Sequence, residues 1–149
     1  MSDLEIVTRI LTAALLGGLI GLEREAAKRA AGLRTHTLVS VGSALIMMTS
    51  IHIYELYVGI ASVDPSRIAA QVVSGIGFLG AGTIIRSGKS VSGLTTAATL
   101  WVVSAVGLAV GCGFWKAAAF TTASVLMGLI LFGKIVHRFF PDEEAEIGS

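Results

Sequence analysis

Residues 94–111 read LTTAATLWVVSAVGLAVG, eighteen in succession without a charged side chain. A helix needs about 20 mostly apolar residues to cross the hydrocarbon core, with a range of about 17–25. A charge near its centre costs about 2.5–3.5 kcal/mol. Charges therefore mark the ends of spans, and working outward from this stretch finds four more candidates, at residues 4–22, 35–56, 68–85 and 115–136. The expected fold is an all-α integral membrane bundle of about five transmembrane helices.

Composition agrees. Of the 149 residues 54% are hydrophobic and 14% charged, and the mean hydropathy is +0.81, outside the usage of soluble globular domains. Residues 1–140 are expected to form one transmembrane domain and 141–149 an acidic tail, with no soluble C-terminal domain. The first apolar stretch follows Asp3 and Glu5 rather than a basic segment and no small-residue cleavage pattern follows it, so it reads as a retained helix. Glu5 and Arg9 place its outer turn at the lipid headgroups. A net charge of +1 gives no nucleic-acid footprint. The single cysteine, Cys112, excludes an internal disulfide framework.

Orientation follows from the basic residues. Arg24, Lys28, Arg29, Arg34, Arg86, Lys89, Lys134 and Arg138 fall on one side of a five-span layout, and only Arg9, Arg67 and Lys116 on the other. The N-terminus is expected outside and the C-terminus in the cytoplasm.

A short echo runs through the chain. Gly32-Leu-Arg-Thr35 opens the second span and Gly93-Leu-Thr-Thr96 the fourth, as in two helical hairpins of the same orientation. Gly17 and Gly21, and again Gly107 and Gly111, form GxxxG pairs that permit close helix approach. Several such faces in a short chain suggest a compact bundle and a homo-oligomer, with a dimer the simplest form.

The third span is the most informative. Ala70, Ser74, Gly77 and Ala81 recur at helical spacing, with Gly75, Gly80 and Gly82 on flanking faces. Close packing against another helix is one reading, and a cavity beside a locally unwound helix is the other. Gln71 lies about a turn inside the boundary and is costly there unless paired, so an interhelical hydrogen bond is expected. Before it, Asp64-Pro-Ser-Arg67 is a helix start, Asp64 accepting from free backbone N–H groups and Pro65 opening the helix without losing a bond. Asp64 facing water as an attractor for a cation or a partner is the alternative.

Glu23, Arg24 and Glu25 stand where the first span ends, and Arg34, Thr35 and His36 where the second begins. Salt bridges between these ends are the simplest use. A carboxylate pair is also a candidate divalent-cation site, since Mg²⁺ is held by one or two carboxylates and several waters. Glu23, Glu25 and Asp64 are thus the metal candidates. His36, His52 and His137 lack the spacing of a zinc site. Thr95 and Thr99 share a helix face, where back-bonding to carbonyls competes with lining a polar seam with Gln71 and Ser74. No Walker, GxSxG, HExxH or dinucleotide motif is present. No enzyme activity and no cofactor are expected, Mg²⁺ entering only as a candidate ligand.

Several strings together resemble the MgtC/SapB family of bacterial membrane proteins, also labelled magnesium-transport ATPase protein C. They are Gly21-Leu-Glu-Arg-Glu25, Ala31-Gly-Leu-Arg-Thr-His36, the nineteen residues from Asp64 to Gly82, and Gly93-Leu-Thr-Thr-Ala-Ala-Thr-Leu-Trp101, within a similarity over residues 8–133. The resemblance implies an inner-membrane protein tied to growth at low magnesium and, in pathogens, to survival in host phagocytes. Despite the label it implies no ATPase, but regulation of other membrane machinery, the proton-translocating ATP synthase included. The matching signature positions are Glu23, Arg24, Glu25, Arg34, Thr35, Asp64, Arg67, Gln71, Ser74, Gly77, Gly80 and Thr96. Ser92 replaces a usual basic residue, and Thr95 and Val102 stand where some virulence-associated members carry Asn and Cys. These departures weaken the phagocyte-survival implication. The leading expectation is modulation of another membrane complex by helix contact; the alternative is a small cation transporter or channel in which a dimer encloses a path lined by Gln71, Ser74 and Thr95 and gated by Asp64 and Glu23.

Overall fold

A computed structural model describes residues 1–88 and 90–139, without the side chains of Val136 and His137. Lys89, the residues of the acidic tail and the His137 side chain therefore lie outside the described residues. Five helices follow in order: α1 Asp3–Ala26, α2 Leu33–Tyr57, α3 Ser66–Gly82, α4 Leu94–Gly111 and α5 Trp115–Phe139. Between α3 and α4 a short hairpin pairs β1 (Ile85–Ser87) with β2 (Ser90–Ser92), Arg86 opposite Val91.

α4 is the central element, apolar on all sides and half buried by residue count, and it touches each of the other four helices. Such a helix must lie inside a bundle. Ala13, Ala44, Val106, Val110 and Ala118 form its main cluster, and Ala31, Ile76 and Leu100 a second. Many of the larger apolar side chains point the other way: Leu11, Leu15, Phe78, Phe120 and Phe132 are all exposed. Small residues inside and large apolar ones outside is the distribution expected of helices packed within lipid, where close van der Waals contact replaces the hydrophobic effect as the adhesive.

The GxxxG pairs are spent within the chain. A Cβ on Gly17 would sit 2.5 Å from Ser40 Cβ, and one on Gly107 2.2 Å from the Ser40 carbonyl oxygen, so α1 and α4 press on α2 from two sides. Gly111 meets Ala44 and Met47 in the same way. The partners rise together along the two helices, Gly107 against Ser40 and Gly111 against Ala44, so α2 and α4 run parallel, the relation that the sequence echo implies.

Parallel α2 and α4 require the chain to return along the full height of the bundle, and α3 makes that return. The expected span at 68–85 is corrected here: α3 stops at Gly82, has 17 residues and is about 25 Å long. Four helices, α1, α2, α4 and most of α5, are long and apolar enough to cross a membrane unaided; α3 falls short of the about 30 Å hydrocarbon thickness. Ile84 and Ile85 extended the apolar run, but they lead into and begin the hairpin, where β-branched residues also fit well. Gly93, at φ 86°, closes the hairpin so tightly that a Cβ there would lie 1.8 Å from the Thr83 carbonyl oxygen.

Candidate functional site

The signature residues gather at the two ends of the bundle and along the outside of α3. At the end where α1 meets α2, the helix continues past the predicted boundary at residue 22, so Glu23, Arg24 and Glu25 all sit on α1. Arg24 is 5% exposed and grips Glu23 with two guanidinium nitrogens, Nη2 donating to Oε1 at 2.7 Å. Glu25 accepts instead from the backbone amide of Leu33 at 2.8 Å. The expected salt bridges to Arg34 do not form among the described residues: the acids are taken by a neighbour on the same helix and by a free amide at the start of α2. A Cβ on Gly32 would fall 2.0 Å from Glu25 Oε2, so a side chain there would push that carboxylate from its present position.

His36, read from sequence as isolated, is fully buried. Its Nδ1 lies 2.9 Å from the Gly32 carbonyl and its Nε2 3.0 Å from Thr99 Oγ1. A carbonyl only accepts, so Nδ1 carries a proton. The Thr99 hydroxyl also lies 2.9 Å from the Thr96 carbonyl, its acceptor within α4. Thr96 and Thr99 are buried, whereas Thr95 is exposed. The sequence held one sign of this, the presence of His36 in the string from Ala31 to His36.

Arg9 was expected among the headgroups and is buried instead. It donates to the carbonyl of Gly111 at the end of α4 and pairs with Glu5 one turn back. A cation at a helix C-terminus meets unsatisfied carbonyls and the negative end of the helix dipole. Nothing in local sequence indicates a partner 102 residues away.

At the far end of α2, Asp64 Oδ1 accepts from the Ser66 amide at 2.8 Å and the Ser66 hydroxyl at 2.7 Å. The helix-start reading of this segment therefore holds. The Ser66 hydroxyl first, and its amide second, hold the Asp64 carboxyl below its ordinary range. Ser50 of α2 donates to the Pro65 carbonyl and fastens the same turn. Arg67 is exposed. Glu23 and Glu25 lie at the opposite end of α2 from Asp64, and no three His, Cys, Asp or Glu side chains converge for a metal among the described residues.

Along α3, Ala70, Ser74, Gly77 and Ala81 are exposed. Ala69, Ile76 and Gly80 are its buried residues, and a Cβ on Gly80 would lie 3.6 Å from Ala97 Cβ, in ordinary contact with α4. Gln71 is exposed and makes none of the expected interhelical bonds among the described residues. It lines an open groove of about 560 Å³ between α2 and α3, with Leu38, Gly42, Ile46, Gly75 and Leu79. A polar pocket of about 550 Å³ adjoins it at the basic end, lined by Glu25, Lys28, Arg29, Arg34 and Thr35, and sharing Leu38 with the groove.

Small residues packed inside, bulky apolar residues outside and charges confined to the ends define a multi-span helical membrane protein. The chain belongs to the MgtC family, whose sequence profile matches residues 10–138. It is 41% identical over 136 residues to YhiD of Escherichia coli K12, whose name proposes a magnesium transporter, covering 90% of this chain and 63% of that protein. It is 46% identical over 133 residues to protein MgtC of Salmonella typhimurium, with 89% and 54% covered. Protein MgtC of Brucella abortus is 53% identical over 112 residues, with 75% and 44% covered. The chain thus spans less than two thirds of the length of these relatives. No solved structure matches it.

Proposed function

We propose that this protein lies in the bacterial inner membrane, N-terminus outside, and serves adaptation to low magnesium by modulating other membrane machinery through helix contacts. The carrying observation is the exposed stripe Ala70, Ser74, Gly77 and Ala81 on α3. The two GxxxG faces, Gly17 with Gly21 and Gly107 with Gly111, are already filled by the chain's own helices, whereas this stripe remains to meet a partner. In lipid, small side chains that let two backbones approach supply much of the adhesion between helices. The acids support the same reading, because Glu23 is occupied by Arg24 and Asp64 by Ser66. Candidate partners are another copy of the chain and larger complexes such as the ATP synthase.

Recovering partners from native membranes with the wild-type chain and with Gly77→Leu tests the contact. A Cβ on Gly77 has nothing within 4 Å; loss of partner with helical content unchanged by circular dichroism is the expected result, and unchanged recovery removes the reading.

The name of YhiD favours a second reading, cation transport. Gln71, Ser74 and Thr95 are all exposed on the outside of the bundle, so a path using them would run between chains. Purified protein in liposomes that passes neither Mg²⁺ nor any other cation under any gradient eliminates it.

A further inference from the structure

We infer that the protein holds an anionic phospholipid of the leaflet at its basic end, one acyl chain lying between α2 and α3 and the phosphate resting against Lys28 and Arg34. The groove and the polar pocket adjoin at Leu38, which lines both. Arg34, Leu38 and Gly42 follow one another at i, i+4 and i+8 on α2, so a cation heads the helical face that forms one wall. An apolar trough ending at a cluster of cations matches a lipid and matches neither a free anion nor a wholly apolar ligand.

Dimensions agree with one leaflet. On α2, which begins at the basic end, the wall runs about 12 Å from Leu38 to Ile46, within half of the about 30 Å hydrocarbon core. The floor is kept open by glycine: Cβ atoms on Gly42 and Gly75 would meet nothing within 4 Å.

The charges agree as well. Lys28, Arg29 and Arg34 face a single carboxylate in the pocket, Glu25, which is engaged by the Leu33 amide. Lys28 and Arg34 enter no ion pair among the described residues. Lys28 occupies the left-handed position, φ 53°, at the end of α1, where its amide bonds the Glu25 carbonyl and that of Arg29 bonds the Arg24 carbonyl. Glycine is usual at this place in such a helix ending. A lysine there projects a cation beside the groove at some conformational cost.

The test is native mass spectrometry of the full chain in detergent with added phosphatidylglycerol, using phosphatidylcholine and inorganic phosphate as comparators. Preferential retention of phosphatidylglycerol is expected. Lys28→Ala with Arg34→Ala should weaken it roughly tenfold or more, each cation near the headgroups being worth about a factor of five. Gly42→Leu and Gly75→Leu, whose Cβ atoms would meet nothing within 4 Å, put bulk into the groove and should abolish retention of either lipid. Loss in both sets sustains the proposal. Loss in the charge variants alone, with inorganic phosphate competing fully, shows an anion pocket without a lipid and overturns it. Retention unchanged in all variants overturns it, as does a glycine variant that leaves lipid in place but dissociates an oligomer, which assigns the groove to a second copy.

Discussion

The Nε2 of His36 lies 3.0 Å from the Oγ1 of Thr99, tying the first turn of α2 to the second turn of the parallel α4. Both side chains are buried, so neither can turn to water if the other is lost. Thr99→Val should lower stability by about 1–3 kcal/mol, the cost of an unmet buried polar group. Thr99→Ser should recover most of it. Unfolding in mild detergent, followed by helical circular dichroism, measures both.

The glycines divide into two groups that ought to respond oppositely. Gly107→Ala sets a methyl 2.2 Å from the Ser40 carbonyl oxygen and should destabilise by about 1–3 kcal/mol through overpacking. Gly75→Ala meets nothing within 4 Å and should stabilise α3 by about 0.5–1 kcal/mol through helix preference alone. Equal effects in the same unfolding assay would contradict the packing described.

Arg9 holds the end of α4 through the Gly111 carbonyl. Arg9→Ala should cost about 1.5–3 kcal/mol, the range for hydrogen bonds to charged groups. Lys116→Ala, at an exposed position at the same end of the bundle, should be nearly silent. Melting temperatures of the two purified variants separate a buried anchor from a headgroup contact.

Ionised Asp64 is the form that Ser66 binds, and its pKa is lowered on folding. Its contribution is therefore complete above the ordinary carboxylate value of 3.8 and disappears as pH falls through the lower folded value. Amide exchange at residues 66–68 should be insensitive to pH-linked loosening from neutrality to about pH 4 and accelerate only below it, relative to intrinsic rates. Asp64→Asn should remove that acid dependence.

Cys112, the single cysteine, is exposed at the end of α4 away from the basic pocket. With the N-terminus outside, an impermeant maleimide should label it in intact spheroplasts. Lys28→Cys in a Cys112→Ser background should react only after permeabilisation. The reverse pattern would invert the assigned orientation.

Reading the sequence recovered all five helices, because a charge is too costly in hydrocarbon to occur in the middle of a span and so reveals its ends. It placed Asp64 correctly at a helix start, since capping depends on neighbours two or three residues apart. It missed the hairpin at Ile85–Ser92, where apolarity alone does not distinguish the end of a helix from a short strand. It also misjudged Gln71, whose expected partner had to come from another helix.

Local chemistry, the apolar run and the charges that bound it, was thus enough to determine that this chain is a bundle of five helices, four of them long and apolar enough to cross a membrane. Which glycines are crushed against a neighbour, which lie open, and that His36 finds Thr99 and Arg9 finds Gly111 were decided only by the tertiary structure. The physical reason is that these contacts join residues 63 and 102 positions apart, and helix periodicity specifies a face without naming the helix that will cover it.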